Sequence, residues 1–270
     1  MRHWAKEAGT PDGARRAWHA ALAFACCACL WSTAARAQVS GSVGVVSDYR
    51  YRGHSLSDGD PAVQASVGYD AASGAYGGLF GSTTRYAGEP ESQWIPYVGY
   101  ARRDRQGRSW DVGLRYVAFT QDGDYDHAEA HVGLAFQRVT LRLYYSPDYY
   151  GDTGNAYFEA DVAFPLGERV RLLLHGGVSR SGSAERGSAP LPGPSTGYDR
   201  YGGYGHDAYA DRYATPDRTR LDASAGFVVP TRLCDVQATW HHVDGTGAGY
   251  AGPWDPDDRS GFVLGCIRRW

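Results

Sequence analysis

Beyond Lys6 the chain contains no lysine at all. A nucleic-acid binder normally shows a patch of basic side chains, so that class is excluded as a partner. Cysteine is scarce too: of the five, only Cys234 and Cys266 lie beyond residue 37. No zinc-spaced Cys/His set, P-loop or dinucleotide fingerprint occurs, and neither a metal nor a cofactor is expected. Helical periodicity is almost missing. After residue 37 no apolar run reaches the roughly 18 residues that a spanning helix needs. If such a chain enters a membrane, it must do so as strands, because only helices and closed barrels satisfy their backbone groups in lipid.

The chain opens with Arg2, Lys6, Arg15 and Arg16, then the short apolar run "HAALAFACCACLW" and the small-residue ending "TAARA". This basic–apolar–small order predicts a secretory signal, residues 1–37, cut after Ala37. Removing it moves the net charge from −3 to about −6. The domain is then 38–270, and the remaining cysteine pair enters an oxidising compartment where a disulfide persists.

From Gln38 onward, apolar and polar residues alternate with a period of two, which is the signature of strands with two unlike faces. In "SWDVGLRY" the residues Trp110, Val112, Leu114 and Tyr116 oppose Asp111, Gly113 and Arg115. Ala130, Val132, Leu134 and Phe136 oppose Glu129 and His131, and Phe158, Ala160, Val162 and Phe164 oppose Glu159 and Asp161. About twelve such segments can be laid out, centred near residues 45, 66, 80, 98, 115, 132, 142, 161, 174, 224, 238 and 265. Short connections fall at 72–74, 104–107, 137–139, 165–168 and 229–232. Longer ones fall at 53–61, 87–92, 121–127, 146–155, 180–218 and 244–260, with 181–217 rich in Gly, Tyr, Pro and Asp.

Two folds share this period: a soluble β-sandwich, and a barrel whose apolar face meets lipid. Alternating loop lengths favour the barrel, as do aromatics near strand ends at Tyr49, Tyr51, Tyr86, Trp94, Tyr144 and Tyr145. The last segment, "FVLGCIRRW", ends on Trp270, an aromatic terminus of the kind that barrel-assembly machinery reads. The expected fold is therefore all-β: an antiparallel up-and-down transmembrane β-barrel of about 12 strands, with short periplasmic turns and longer external loops.

The stretch "VSDYRYRGHSLSDGDPAVQASVGYDAASGAYGGLFGST" resembles the start of the TorF-type porin family of bacterial outer-membrane proteins. The matching residues are Ser47, Asp48, Tyr49, Arg50, Arg52, Gly53, Ser55, Ser57, Pro61, Ala62, Gln64, Tyr69, Ser73, Gly74, Tyr76 and Gly78. The likeness covers about the first forty residues after the signal, and the late cysteine pair and the long Tyr/Gly loop depart from it. It implies the outer membrane of a Gram-negative bacterium and passive transport, without naming a solute.

If the apolar parity faces lipid, the other parity lines the lumen. That places Asp48, Arg50, Arg52, Asp111, Arg115, Glu129, Arg142, Glu159, Asp161, Arg171, Arg220 and Asp222 inside, with the tyrosines of the first segment towards lipid. Two readings of these charges follow: a mutually neutralising plug, or the lining of a narrow aqueous path. Cys234 and Cys266 share the outer parity of neighbouring strands near the short-turn end, where a disulfide could clamp the closing hairpin.

Catalysis is not expected. "GHSLS" offers His54 beside Ser55 and Ser57, and "HHVDG" offers His241, His242 and Asp244 without a nearby serine. Neither makes a nucleophile–base–orienter set. His206, Asp207, Asp211 and Asp217 sit in the long loop, and all these histidines read as solvated loop residues. The expected function is an outer-membrane porin giving ions or small solutes passage through a narrow charged lumen. The alternative is a non-conducting barrel whose external loops bind a ligand, surface or partner.

Overall fold

The computed structural model describes residues 38–86, 88–121, 123–149, 153–182, 218–244 and 260–270. Residues 1–37, expected to be a signal, and nearly all of the expected loop 181–217, His206 included, lie outside the described residues. Fourteen strands are present among the described residues. They are β1 Gln38–Val46, β2 Arg50–Tyr51, β3 His54–Ser55, β4 Ala62–Asp70, β5 Ala75–Tyr86, β6 Glu89–Arg103 and β7 Arg108–Phe119. There follow β8 His127–Phe136, β9 Val139–Tyr149, β10 Thr153–Pro165, β11 Arg171–Ser181, β12 Arg218–Pro230, β13 Asp235–Asp244 and β14 Ser260–Arg269.

Twelve of these, β1 and β4 to β14, form one closed antiparallel barrel in which each strand pairs with its neighbours in the chain. Closure is made by β1 on β14, from Ser42 opposite Arg269 to Val46 opposite Gly265. A closed barrel leaves no strand edge unpaired, which is what lipid demands. Alternation then assigns the faces. Val43, Val67, Val98, Leu114, Leu134, Phe158, Phe227 and Leu264 all stand exposed on the outside. Their inward-pointing neighbours Gln93, Glu129, Ser146, Asn155 and Asp222 are buried. A soluble protein does not present a continuous apolar belt while burying its charges in a narrow interior; a barrel in a bilayer does.

The connections at one end are tight: 71–74, 104–107, 137–138, 166–170 and 231–234. At the other end 47–61 is the longest connection among the described residues, and 87–92 is shorter than the sequence suggests. There β5 and β6 stay paired up to Tyr86 opposite Glu89, leaving only two residues between them.

Cys234 and Cys266 form a disulfide, with Cα atoms 5.6 Å apart. Cys266 is exposed on the outer face of β14 opposite Val236, and Cys234 closes the preceding turn. The bond spans 32 residues of sequence, a loop length at which a crosslink stabilises by about 3–4 kcal/mol. Replacing both cysteines by serine should lower the denaturation midpoint in detergent accordingly, and an unchanged midpoint would show the β13–β14 pairing to be self-sufficient.

Candidate functional site

The first segment is not one long strand. β1 ends at Val46, and residues 47–61 fold back into the mouth of the barrel. Asp48, Arg50 and Arg52 therefore enter the lumen from this inward loop, not from the barrel wall. The reason is a reversal at Arg52 and Gly53, both in the left-handed region with φ of 50° and 86°. This is the type I′ pattern that two-residue hairpins require, with arginine where asparagine is usual. The flanking residues pair as a miniature hairpin, Arg50 opposite Ser55 and Tyr51 opposite His54.

Two sets of contacts hold the hairpin inside. At its base Leu56 is fully buried, in a cluster with Val46, Tyr49, Ala62, Ile95, Val117, Phe119 and Val263. Ile95, Val117 and Phe119 are inward-pointing residues of β6 and β7 at the loop end of the lumen, where they give the hairpin base an apolar seat. Burying a leucine of this kind contributes about 2 kcal/mol. Tyr49 is likewise buried, donating its hydroxyl to Gln93 at 2.7 Å. Tyr49 and Tyr51 thus point into the lumen and not to lipid, and so does Tyr144; Trp94 and Tyr145 do face outward.

At its tip the hairpin is ionic. Arg52 reaches Glu129 on β8 at 2.6 Å, with the two side chains 3% and 1% exposed. The other carboxylate oxygen of Glu129 accepts from Arg115 on β7, at 2.5 and 2.6 Å. The Arg52 guanidinium lies 4.1 Å from the ring centroid of Tyr157, and that of Arg115 lies 4.1 Å from Tyr144. Arginine suits this position because its flat, permanently charged head can bond a carboxylate at its edge while stacking on aromatic faces. Arg50 pairs with Asp48 at 2.6 Å, and Asp48 also accepts from Ser55 and Ser57. Burial and the neighbouring Arg220 and Arg50 guanidiniums lower the pKa of His54 to about 3, so its ring is neutral in the hairpin. The half-buried His54 is therefore not a solvated loop residue.

Below the hairpin the other inward charges form smaller groups. Asp111 meets His131 at 2.8 Å, and both approach the Tyr76 hydroxyl at 3.2 Å. Arg142 lies between Asp111 and Glu159, at 4.0 and 3.8 Å. His175 bridges Asp161 and Asp222, at 2.7 and 2.8 Å. Arg220 is buried on the same face, whereas Arg171 sits at the short-turn rim against Asp235, 3.6 Å away. A cavity of about 400 Å³ remains between the hairpin and β9 to β13. Arg50, Arg138, His175, Gln237 and His241 are on its walls. His241 and His242 belong to β13 and not to a loop.

Of the lumenal aromatics and histidines, the sequence placed Tyr51 and Tyr144 towards the lipid interface and left Tyr157, His131 and His175 out of the lumen-lining set. For His131 a signal existed, since it shares the parity of Glu129. For His175, set in "LLLHGG", the surrounding apolar residues hide it.

A closed barrel with an apolar outside and a charged, loop-filled inside is a transmembrane β-barrel. The chain belongs to the family described as "Bacterial protein of unknown function (Gcw_chp)", whose model matches residues 32–189. No curated protein matches. Among solved structures, the translocator domain of the autotransporter NalP from Neisseria meningitidis aligns with a TM-score of 0.35 and 12% identity, over 95% of this chain and 98% of that one. OccAB1 from Acinetobacter baumannii aligns with a TM-score of 0.29 and 10% identity, over 82% and 69%. Neither likeness is close enough to say what this chain does.

Proposed function

We propose that this protein is an outer-membrane channel of narrow bore, passing ions or small solutes down their gradients past a constriction made by its first long loop. The observation that carries this reading is the hairpin at 50–55, which crosses the mouth and presents arginines to the path. The outward apolar belt, the tight turns at one end and the likeness of 47–78 to TorF-type porins support an outer-membrane setting. In that setting the partners are outer-membrane lipid, the solutes themselves and barrel-assembly machinery acting on β14 and the Trp270 that follows it.

One observation favours a second reading. Arg52 and Arg115 are both bonded to the buried Glu129, which fits a hairpin that is a permanent plug and leaves the external loops to bind a ligand, surface or partner. Ion selectivity in a planar bilayer separates the two. Discrete steps are expected, and Arg142→Glu, which reverses a charge only loosely paired in the lumen, should shift the reversal potential towards cations. A folded barrel that stays electrically silent would leave the plug as the better reading.

A further inference from the structure

The strongest unassigned chemistry in the lumen lies where β10, β11 and β12 run side by side. Glu159, Asp161 and His175 each bring a ligand atom within 4.8 Å of the others. Their meeting is a product of register: Asp161 is directly opposite His175, and Glu159 is opposite Gly177. On the far side Gly177 is opposite Asp222. A side chain at 177 would collide with the Tyr157 hydroxyl and an Asp222 oxygen, so the glycine gives that carboxylate its place.

Asp222 is what distinguishes this group from an ordinary acidic cluster. Its side chain is only 2% exposed, and its Oδ1 stands 2.8 Å from His175 Nε2. Its Oδ2 is buried with no hydrogen-bond partner. A buried carboxylate on one ring nitrogen, itself accepting from the Tyr157 hydroxyl at 3.2 Å, fixes the orientation of the imidazole. Nδ1 then faces Asp161, whose Oδ1 is 2.7 Å away. Two ligand atoms so close can share one ion lying beside them, at the roughly 2.0–2.2 Å that zinc takes from nitrogen and oxygen. Ligating histidines show this arrangement, with the far N–H given to a carboxylate that orients the ring. The group also opens to the lumenal cavity, since Asp161 and His175 lie on its wall.

We infer that Glu159, Asp161 and His175 Nδ1 form a binding site for a divalent transition metal of the zinc type, with Asp222 as the group that positions His175. One imidazole and two carboxylates suit zinc better than calcium or magnesium, which favour all-oxygen shells. The inference does not depend on the barrel conducting.

The test uses the full chain expressed, purified in detergent and stripped with a chelator. Zn2+ is titrated calorimetrically, and Co2+ is followed by its visible absorption. Wild type should bind one Zn2+ per chain and give a Co2+ spectrum with nitrogen–oxygen ligation. His175→Gln should abolish both, and Asp222→Asn should weaken binding by roughly 10- to 100-fold while keeping the one-to-one ratio. Each variant is checked for heat-modifiable migration; if His175→Gln does not fold, Asp161→Asn and Glu159→Gln replace it with the same expected loss. Absence of Zn2+ binding by wild type would overturn the site and make His175 an imidazolium held between two aspartates. Undiminished binding by the His175, Asp161 and Glu159 variants that fold would overturn it equally, by placing the metal elsewhere.

Discussion

Replacing Glu129 by alanine is expected to release the hairpin from the barrel mouth. Glu129 is the shared partner of Arg52 and Arg115, and its side chain is 1% exposed. Without it two guanidiniums stay buried close together with no common carboxylate. Removing one partner of a buried pair typically costs 3–5 kcal/mol. The barrel wall itself loses no hydrogen bond of its ladder, so the cost falls on hairpin insertion. Stacking of Arg52 on Tyr157 and the seat of Leu56 oppose release, but neither supplies the lost charge. Trypsin reads the outcome directly, because Arg50 and Arg52 are cleavage sites shielded in the inserted state. Wild type should resist cutting there, whereas Glu129→Ala should give a fragment beginning at Tyr51 or Gly53. The double variant Arg52→Met with Glu129→Gln, which removes charge from both sides, should stay protected. Cleavage in wild type at the same rate as in Glu129→Ala would mean that the ionic tip does not hold the loop.

The second large effect concerns the outer face. Leu114 points outward on β7, between Val98 and Ala130, and is 59% exposed. Leu114→Arg should cost about 2–4 kcal/mol of folding into a bilayer, the range for a charge at the midplane of a lipid-facing strand. Arg115, the next residue, is charged by nature and tolerated because the period of two turns it inward. The measurement is refolding into lipid vesicles followed by heat-modifiable gel migration. Leu114→Arg refolding as well as wild type would contradict the assignment of this face to lipid.

The faces of β7, β8 and β10 were legible in the sequence, because one buried and one lipid-facing side leave an unbroken alternation in "SWDVGLRY" or "AEAHVGLAF". The first segment was not. "VVSDYRYRGH" continues the same alternation through Val46, but the period belongs to two objects, a wall strand and then a hairpin of opposite surroundings. The turn that divides them is Arg-Gly, which lacks the asparagine that marks a type I′ hairpin. Tyrosine adds to the ambiguity, since the residue that suits a lipid interface also stacks on a buried guanidinium. Arg142 and Glu159 could be assigned to the lumen by parity alone, yet which charges meet depends on register between strands. Asp161, His175 and Asp222 come from three strands and more than sixty residues of chain, and no motif spans such a set. The β5–β6 connection was misjudged because Glu89, Pro90 and Glu91 have loop-like composition while still pairing across the ladder.

The central claim is that the inward hairpin sets the bore of a membrane channel. The most direct test is single-channel conductance in a planar bilayer, comparing wild type with a chain in which 50–55 is replaced by two glycines. The account predicts small steps for wild type and larger steps for the shortened chain, with weaker ion selectivity as the arginines leave the path. Equal conductance in the two chains, or silence in both, would contradict it.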